Sequence, residues 1–183
     1  MPLRRDYLQV KGHKQLQNRS EDIVCISREE WKKLIEKCQQ ETGEKFTAIP
    51  GYEWTARASN PQLNENWDSK VVSDKNIIFG DYSQDNPLIY HNIQGLKEVT
   101  EESRATIPDE LYEKLKGYNY IAIPHSTSSQ PMGTDFNYVD EKLEPVVEIY
   151  SMHGANEYYC NPRSLYSLYE DGFVQRALKK GKK

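Results

Sequence analysis

The chain has 183 residues, a net charge of −4 and a pI near 5.7, so nothing pulls it as a whole toward nucleic acid or an anionic membrane. A mean hydropathy of −0.86 with 28% charged residues fits a soluble protein with a polar surface, and no apolar run approaches the ~20 residues of a membrane span. The length suits one domain with a real core, and three widely spaced cysteines (Cys25, Cys38, Cys160) form neither a zinc knuckle nor a disulfide scaffold.

The first 25 residues show little periodicity and read as a poorly structured start. Met1 to Tyr7 is basic but has no apolar h-region, so no signal peptide is visible and the cytoplasm is the default compartment. His13 sits between Lys11 and Lys14 and reads as solvated. Order begins at Ser27-Arg28-Glu29-Glu30, a capping box, after which Trp31, Leu34, Ile35 and Cys38 recur at helical spacing and Gly43 marks the stop. Phe46 to Pro50 reads as a buried strand leading to Gly51-Tyr52-Glu53-Trp54. Residues 57–70 and 81–106 read as loop excursions, with a strand between them ending in Asn76-Ile77-Ile78-Phe79 and closed by Gly80. The second excursion contains His91 beside Asn92. Thr106 is placed to cap a helix over 107–116, with Pro108 in its first turn and Gly117 beyond its end. Strands follow at Tyr120–Ile123 and Val146–Tyr150, then short helices over 162–171 and 173–180. This order predicts an α/β fold with mostly parallel strands in one domain.

Three of these strands each deliver a Glu or His at or just past their carboxyl ends. Glu53 follows Phe46–Pro50, His125 follows Tyr120–Ile123, and Glu148 and His153 come with Val146–Tyr150. In α/β folds, ligands and metals sit at those ends, and imidazole with carboxylate is the donor set of borderline divalent ions. Other chemistry finds little support. There is no GxSxG elbow, P-loop or GxGxxG, and the basic residues are dispersed apart from the terminal Lys179–Lys183 cluster.

Gly51-Tyr52-Glu53-Trp54, Asn76-Ile77-Ile78-Phe79, Ile123-Pro124-His125 and Val147-Glu148-Ile149-Tyr150-Ser151-Met152-His153-Gly154, in this order and spacing, resemble the bacterial domain of unknown function 3604 family. That family is similar to the PHP (polymerase and histidinol phosphatase) metal-dependent phosphoesterases. The resemblance implies a distorted β/α barrel with divalent ions (Mn, Zn or Fe) at the strand ends. It maps metal ligands to Glu53, His125 and His153, with Glu148 in the same motif, and it makes Glu53 the residue closest to the chemistry. Asp74, Ser126 and His91 are candidates for contact with a small phosphorylated substrate.

The chain also departs from that pattern. The opening His-x-His or His-x-Asp strand and the closing Asp-x-His strand are missing, Ser126 stands where a second His is frequent, and Ser73-Asp74 stands where Gly-His is frequent. A full β/α barrel runs to ~250 residues. The expectation is therefore an incomplete barrel: an internal fragment of a metal-dependent hydrolase that binds metal weakly and self-associates. The alternative is an inactive fragment that only binds, or that needs a complementing chain.

Overall fold

Ser27 starts the first helix as its sequence dictates. In the computed structural model, which describes residues 26–56, 73–90, 99–128, 133–134, 136, 139–151, 154–163 and 170–181, α1 spans Arg28–Glu41. The Ser27 hydroxyl accepts the Glu30 N–H at 3.2 Å, and Glu30 Oε2 accepts the Ser27 N–H at 2.7 Å, so two donors with no helical partner are satisfied reciprocally. Trp31 and Ile35 form the buried stripe of this helix. The helix ends at Thr42 rather than at Gly43, because the Thr42 hydroxyl donates to Cys38 O (2.9 Å) while accepting the Ala48 N–H (3.1 Å).

Three strands follow: β1 Gly51–Ala56, β2 Ser73–Phe79 and β3 Tyr120–His125. They form one sheet in the order β1-β2-β3, with both pairs antiparallel. This corrects the expected barrel of mostly parallel strands: the described sheet is open, with three strands and no parallel pair. The helix α2 (Pro108–Leu115) lies between β2 and β3 in sequence and imitates a β–α–β crossover. The connection nevertheless leaves and rejoins the sheet at one point. Phe79 pairs with Tyr120, and Gly80 N donates to Asn119 O at 2.9 Å, so the chain returns in the reverse direction. The excursion between β1 and β2 likewise opens and closes on a paired rung, Ala56 opposite Ser73. Each excursion therefore connects the two strands of an antiparallel pair.

Two further strand expectations change. Phe46 and Ile49, expected in a buried strand, are 62% and 57% exposed. A turn closed by the Gly43–Phe46 bridge carries Phe46 outward, and the strand begins at Gly51. A side chain at Gly51 would meet Ile78 Cδ1 at 2.7 Å and Ile77 O at 2.8 Å, so glycine permits this entry into the sheet. The expected strand over 146–150 is reduced to β4, Tyr150–Ser151, paired antiparallel with β5, Gly154–Ala155. Pro145, directly before that stretch, supplies no N–H to extend a ladder back toward Leu143. A 3₁₀ turn at Glu170–Gly172 and a short helix α3, Val174–Lys179, end the described chain.

The sheet has two unlike faces. Tyr52, Ile77 and Ala122 share one rung, Trp54, Lys75 and Pro124 the next, and all six project toward the helices. Trp31, Ile35, Leu111 and Leu115 pack against Trp54, Ile77, Phe79 and Ala122. Each such large side chain removed from water contributes about 1.5–3 kcal/mol. Trp31 lies edge-on to Tyr52, with centroids 5.4 Å apart, and its Nε1 donates to Asn86 O at 2.9 Å. Residues 81–90 hold no regular element, yet Leu88, Ile89 and Tyr90 are part of this core. The opposite face carries Glu53, Asn76 and Ile123 on one rung and Thr55, Asp74 and His125 on the other.

Candidate metal centre

Strand alternation assembles the site. In β1 the aromatics Tyr52 and Trp54 point into the core, which turns Glu53 to the other side. In β2 Lys75 and Ile77 point inward, which turns Asp74 and Asn76 outward from the helices. Pairing then sets Asp74 beside His125 and Glu53 one rung away. Glu53, Asp74 and His125 each offer a ligand atom within 4.8 Å of the others. His125 Nε2 lies 3.2 Å from Glu53 Oε1.

The three differ in their setting. Asp74 is buried and the His125 side chain is 6% exposed, whereas the Glu53 side chain is 58% exposed. The cluster thus has two fixed members below and one at the solvent. Burial works to lower the pKa of His125. The Glu53 hydrogen bond and the negative charges of Asp74, Glu53 and Glu148 outweigh it and hold the imidazole above its ordinary value. His125 therefore stands in a field made by three carboxylates.

Glu148 lies outside the triad, in a segment that borders β3: its N–H donates to Pro124 O at 3.0 Å, and its carbonyl accepts Asn156 Nδ2 at 3.2 Å. Ser126 follows His125 with φ +55°, a left-handed backbone that turns the chain out of the sheet. Its hydroxyl is buried and makes no hydrogen bond among the described residues. The loop continues with Thr127, whose hydroxyl donates to Gly172 O (2.7 Å), and Ser128, whose hydroxyl donates to Asn156 Oδ1 (2.8 Å). His91 and His153 lie outside the described residues.

The structure therefore brings together Glu53, Asp74 and His125, with Glu148 and Ser126 beside them. Glu53 does not follow its strand but stands in the middle of it. Asn156 is a buried hub that sequence reasoning missed: one side chain joins the loop after His125 to the segment carrying Glu148. An Asn before Glu157 in a polar stretch carries no sequence signal for this.

The donor set suits a divalent ion. A tetrahedral ion with bonds of about 2.1 Å spaces its ligand atoms roughly 3.4 Å apart, close to the His125–Glu53 separation. No described helix is long and apolar enough to cross a membrane. No curated protein and no solved structure matches the chain. A family model described as "Protein of unknown function (DUF3604)" matches residues 3–167, well over half of the chain, and the chain belongs to that family.

Proposed function

We propose that the chain carries a divalent-metal centre of PHP-like type on the polar face of its sheet and acts as a hydrolase on small phosphorylated substrates. The observation that carries this reading is the Glu53–Asp74–His125 cluster, whose ligand atoms lie within 4.8 Å of one another on adjacent strands. Mn, Zn or Fe suits one imidazole with two carboxylates. A bound ion of this kind lowers the pKa of water and neutralises charge developing on phosphoryl oxygens.

The protein's own residues divide the remaining work. Asp74 and His125 are buried and paired across β2 and β3, so they hold a fixed geometry. Glu53 stands at the solvent edge, with room to rotate toward an incoming group. Glu148 adds negative charge at His125 from the neighbouring segment. Ser126 and His91 are candidates for substrate contact, and His153 for metal.

The test is calorimetric titration of the purified chain with Mn²⁺, paired with hydrolysis of p-nitrophenyl phosphate. Weak binding is expected, abolished by Asp74→Ala and by His125→Ala, with low turnover abolished by Glu53→Ala. A chain that takes up no Mn²⁺ or Zn²⁺ at any concentration short of precipitation sinks the reading. The solvent exposure of Glu53 favours a second reading, a binding module that needs another chain to complete the site. Metal uptake without any turnover selects it.

A further inference from the structure

Two charged side chains are buried on the helix-covered face of the sheet, away from the cluster. The Lys75 side chain is 4% exposed and the Glu144 side chain 2%, and they form an ion pair. Tyr112 of α2 donates its hydroxyl to the same Glu144 oxygen, and Lys75 Nζ lies 5.9 Å from the centre of the Tyr112 ring. The Tyr112 hydroxyl is held far above its ordinary pKa, first by burial and then by the Glu144 charge, so it remains a donor. A buried pair of this kind rarely stabilises a fold more than apolar residues of the same volume would. Its role is therefore sought in placement.

Glu144 begins a stretch that follows the outer edge of β3. Ala122 N donates to Leu143 O at 2.7 Å, and Glu148 N donates to Pro124 O at 3.0 Å. Three residues of β3, 122–124, are thus spanned by six residues of the neighbouring segment, 143–148, with Pro145 among them. Such a bulged run has no continuous ladder to set its register. The side chain of Glu144, fixed on Lys75 of β2 and Tyr112 of α2, is a register mark independent of the ladder. Lys75 itself is the chain neighbour of Asp74, so one strand carries a cluster residue on one face and the anchor of this segment on the other.

We propose that Lys75, Glu144 and Tyr112 form a positioning device: by seating the 143–148 segment on β3, Glu144 sets where Glu148 stands relative to Glu53, Asp74 and His125. The proposal rests on the metal-centre reading for its functional meaning and on the backbone geometry for its structural one. The Glu148 N–H is bonded to the carbonyl of Pro124, the residue directly before His125, which is the connection the device controls. Partners of metal ligands in this supporting position commonly change metal affinity about 10- to 100-fold.

The experiment uses the full chain and the triple variant Lys75→Met/Glu144→Leu/Tyr112→Phe, which removes the charges and the hydroxyl while keeping volume. The variant is expected to melt cooperatively. Its Glu148 amide should exchange with solvent about tenfold faster while the β2 amides keep their protection. Its Kd for Mn²⁺ should rise about tenfold, and Glu148→Gln, which weakens Mn²⁺ binding in the parent chain, should cost nothing more in this background. Unchanged Glu148 exchange in the folded variant overturns the proposal, and so does a full Glu148→Gln effect there. If the parent chain binds no Mn²⁺, the metal reading has failed on its own, and Glu148 exchange alone decides the device. If the triple variant does not fold, Tyr112→Phe takes its place. It removes one hydrogen bond and should speed Glu148 exchange about threefold; no change in that rate overturns the proposal.

Discussion

Ser126 combines two costs at one position. Its φ of +55° is a backbone conformation that glycine adopts without penalty, and its hydroxyl is buried with no hydrogen-bond partner among the described residues. Left-handed backbone costs a residue bearing Cβ about 1–2 kcal/mol, and an unsatisfied buried hydroxyl costs about 1–3 kcal/mol. Ser126→Gly should therefore raise the unfolding free energy by about 1 kcal/mol or more, seen as a higher urea midpoint at unchanged m-value. A lower midpoint would show that the hydroxyl is used in the folded protein. Strain of this kind persists where a site needs it, and Ser126 directly follows His125. Trp31 is the opposite case, with its ring buried and its nitrogen bonded to Asn86 O. Trp31→Ala should cost about 3–5 kcal/mol in denaturant unfolding, since a cavity and an orphaned carbonyl appear together.

At the scale of elements, both long helices are secured at their first turn by a glutamate. Glu30 bonds the Ser27 N–H and hydroxyl, and Glu110 bonds the Thr106 N–H (2.7 Å) and hydroxyl (2.8 Å). These bonds hold both carboxyl groups below the usual glutamate pKa. A folded-state pKa below the unfolded one means stabilisation that is complete above the ordinary glutamate range and lost as pH falls through the lowered value. Helical circular dichroism should accordingly decline on acidification in a step that Glu30→Gln and Glu110→Gln each diminish. Ser27→Ala should cost about 1 kcal/mol at neutral pH. The capping box of α1 was legible because four consecutive residues contain the whole motif. The helix expected over 107–116 is present as Pro108–Leu115, but Thr106 does not cap it: the N-cap is Ile107, with no side-chain cap bond, and Thr106 is instead bonded to Glu110. Strand direction was not legible, because the Gly80–Asn119 closure joins residues far apart in sequence. One clue was present: Tyr52 and Trp54 alternate with Glu53 and Thr55, the pattern of a sheet with one covered face, which suits antiparallel pairing better than a doubly covered parallel sheet. Glu53 and His125 were singled out as residues following buried strands, although Glu53 stands within its strand; Asp74 was a candidate for substrate contact through the resemblance, and only the long-range pairing of β2 with β3 sets it beside His125. Lys75 and Glu144 carry no sequence signal, since nothing local distinguishes a buried ion pair from two solvated charges.

On the scale of the whole molecule, the described sheet is open, with β1 at one edge, and Phe46, Ile49, Val146, Tyr150 and Leu178 present apolar surface to water. Open edges and apolar patches recruit other chains. We expect the weight-average mass in sedimentation equilibrium to rise with concentration; a constant monomer mass across a hundredfold range would contradict this. The central strand also carries an error check. Asp74 faces Glu53 and His125, and Lys75 faces Glu144, so sliding β2 by one residue in one direction would thrust an ammonium among the carboxylates and set Asn76 against Glu144, while the opposite slide would set Asp74 against Glu144. A slip of two residues keeps the faces but sets Asn76 in the place of Asp74 and Ile77 in that of Lys75. The strand is thus a key with a single cut: each of these slips leaves Glu144 buried without its cation, and correct pairing is the alignment that supplies one.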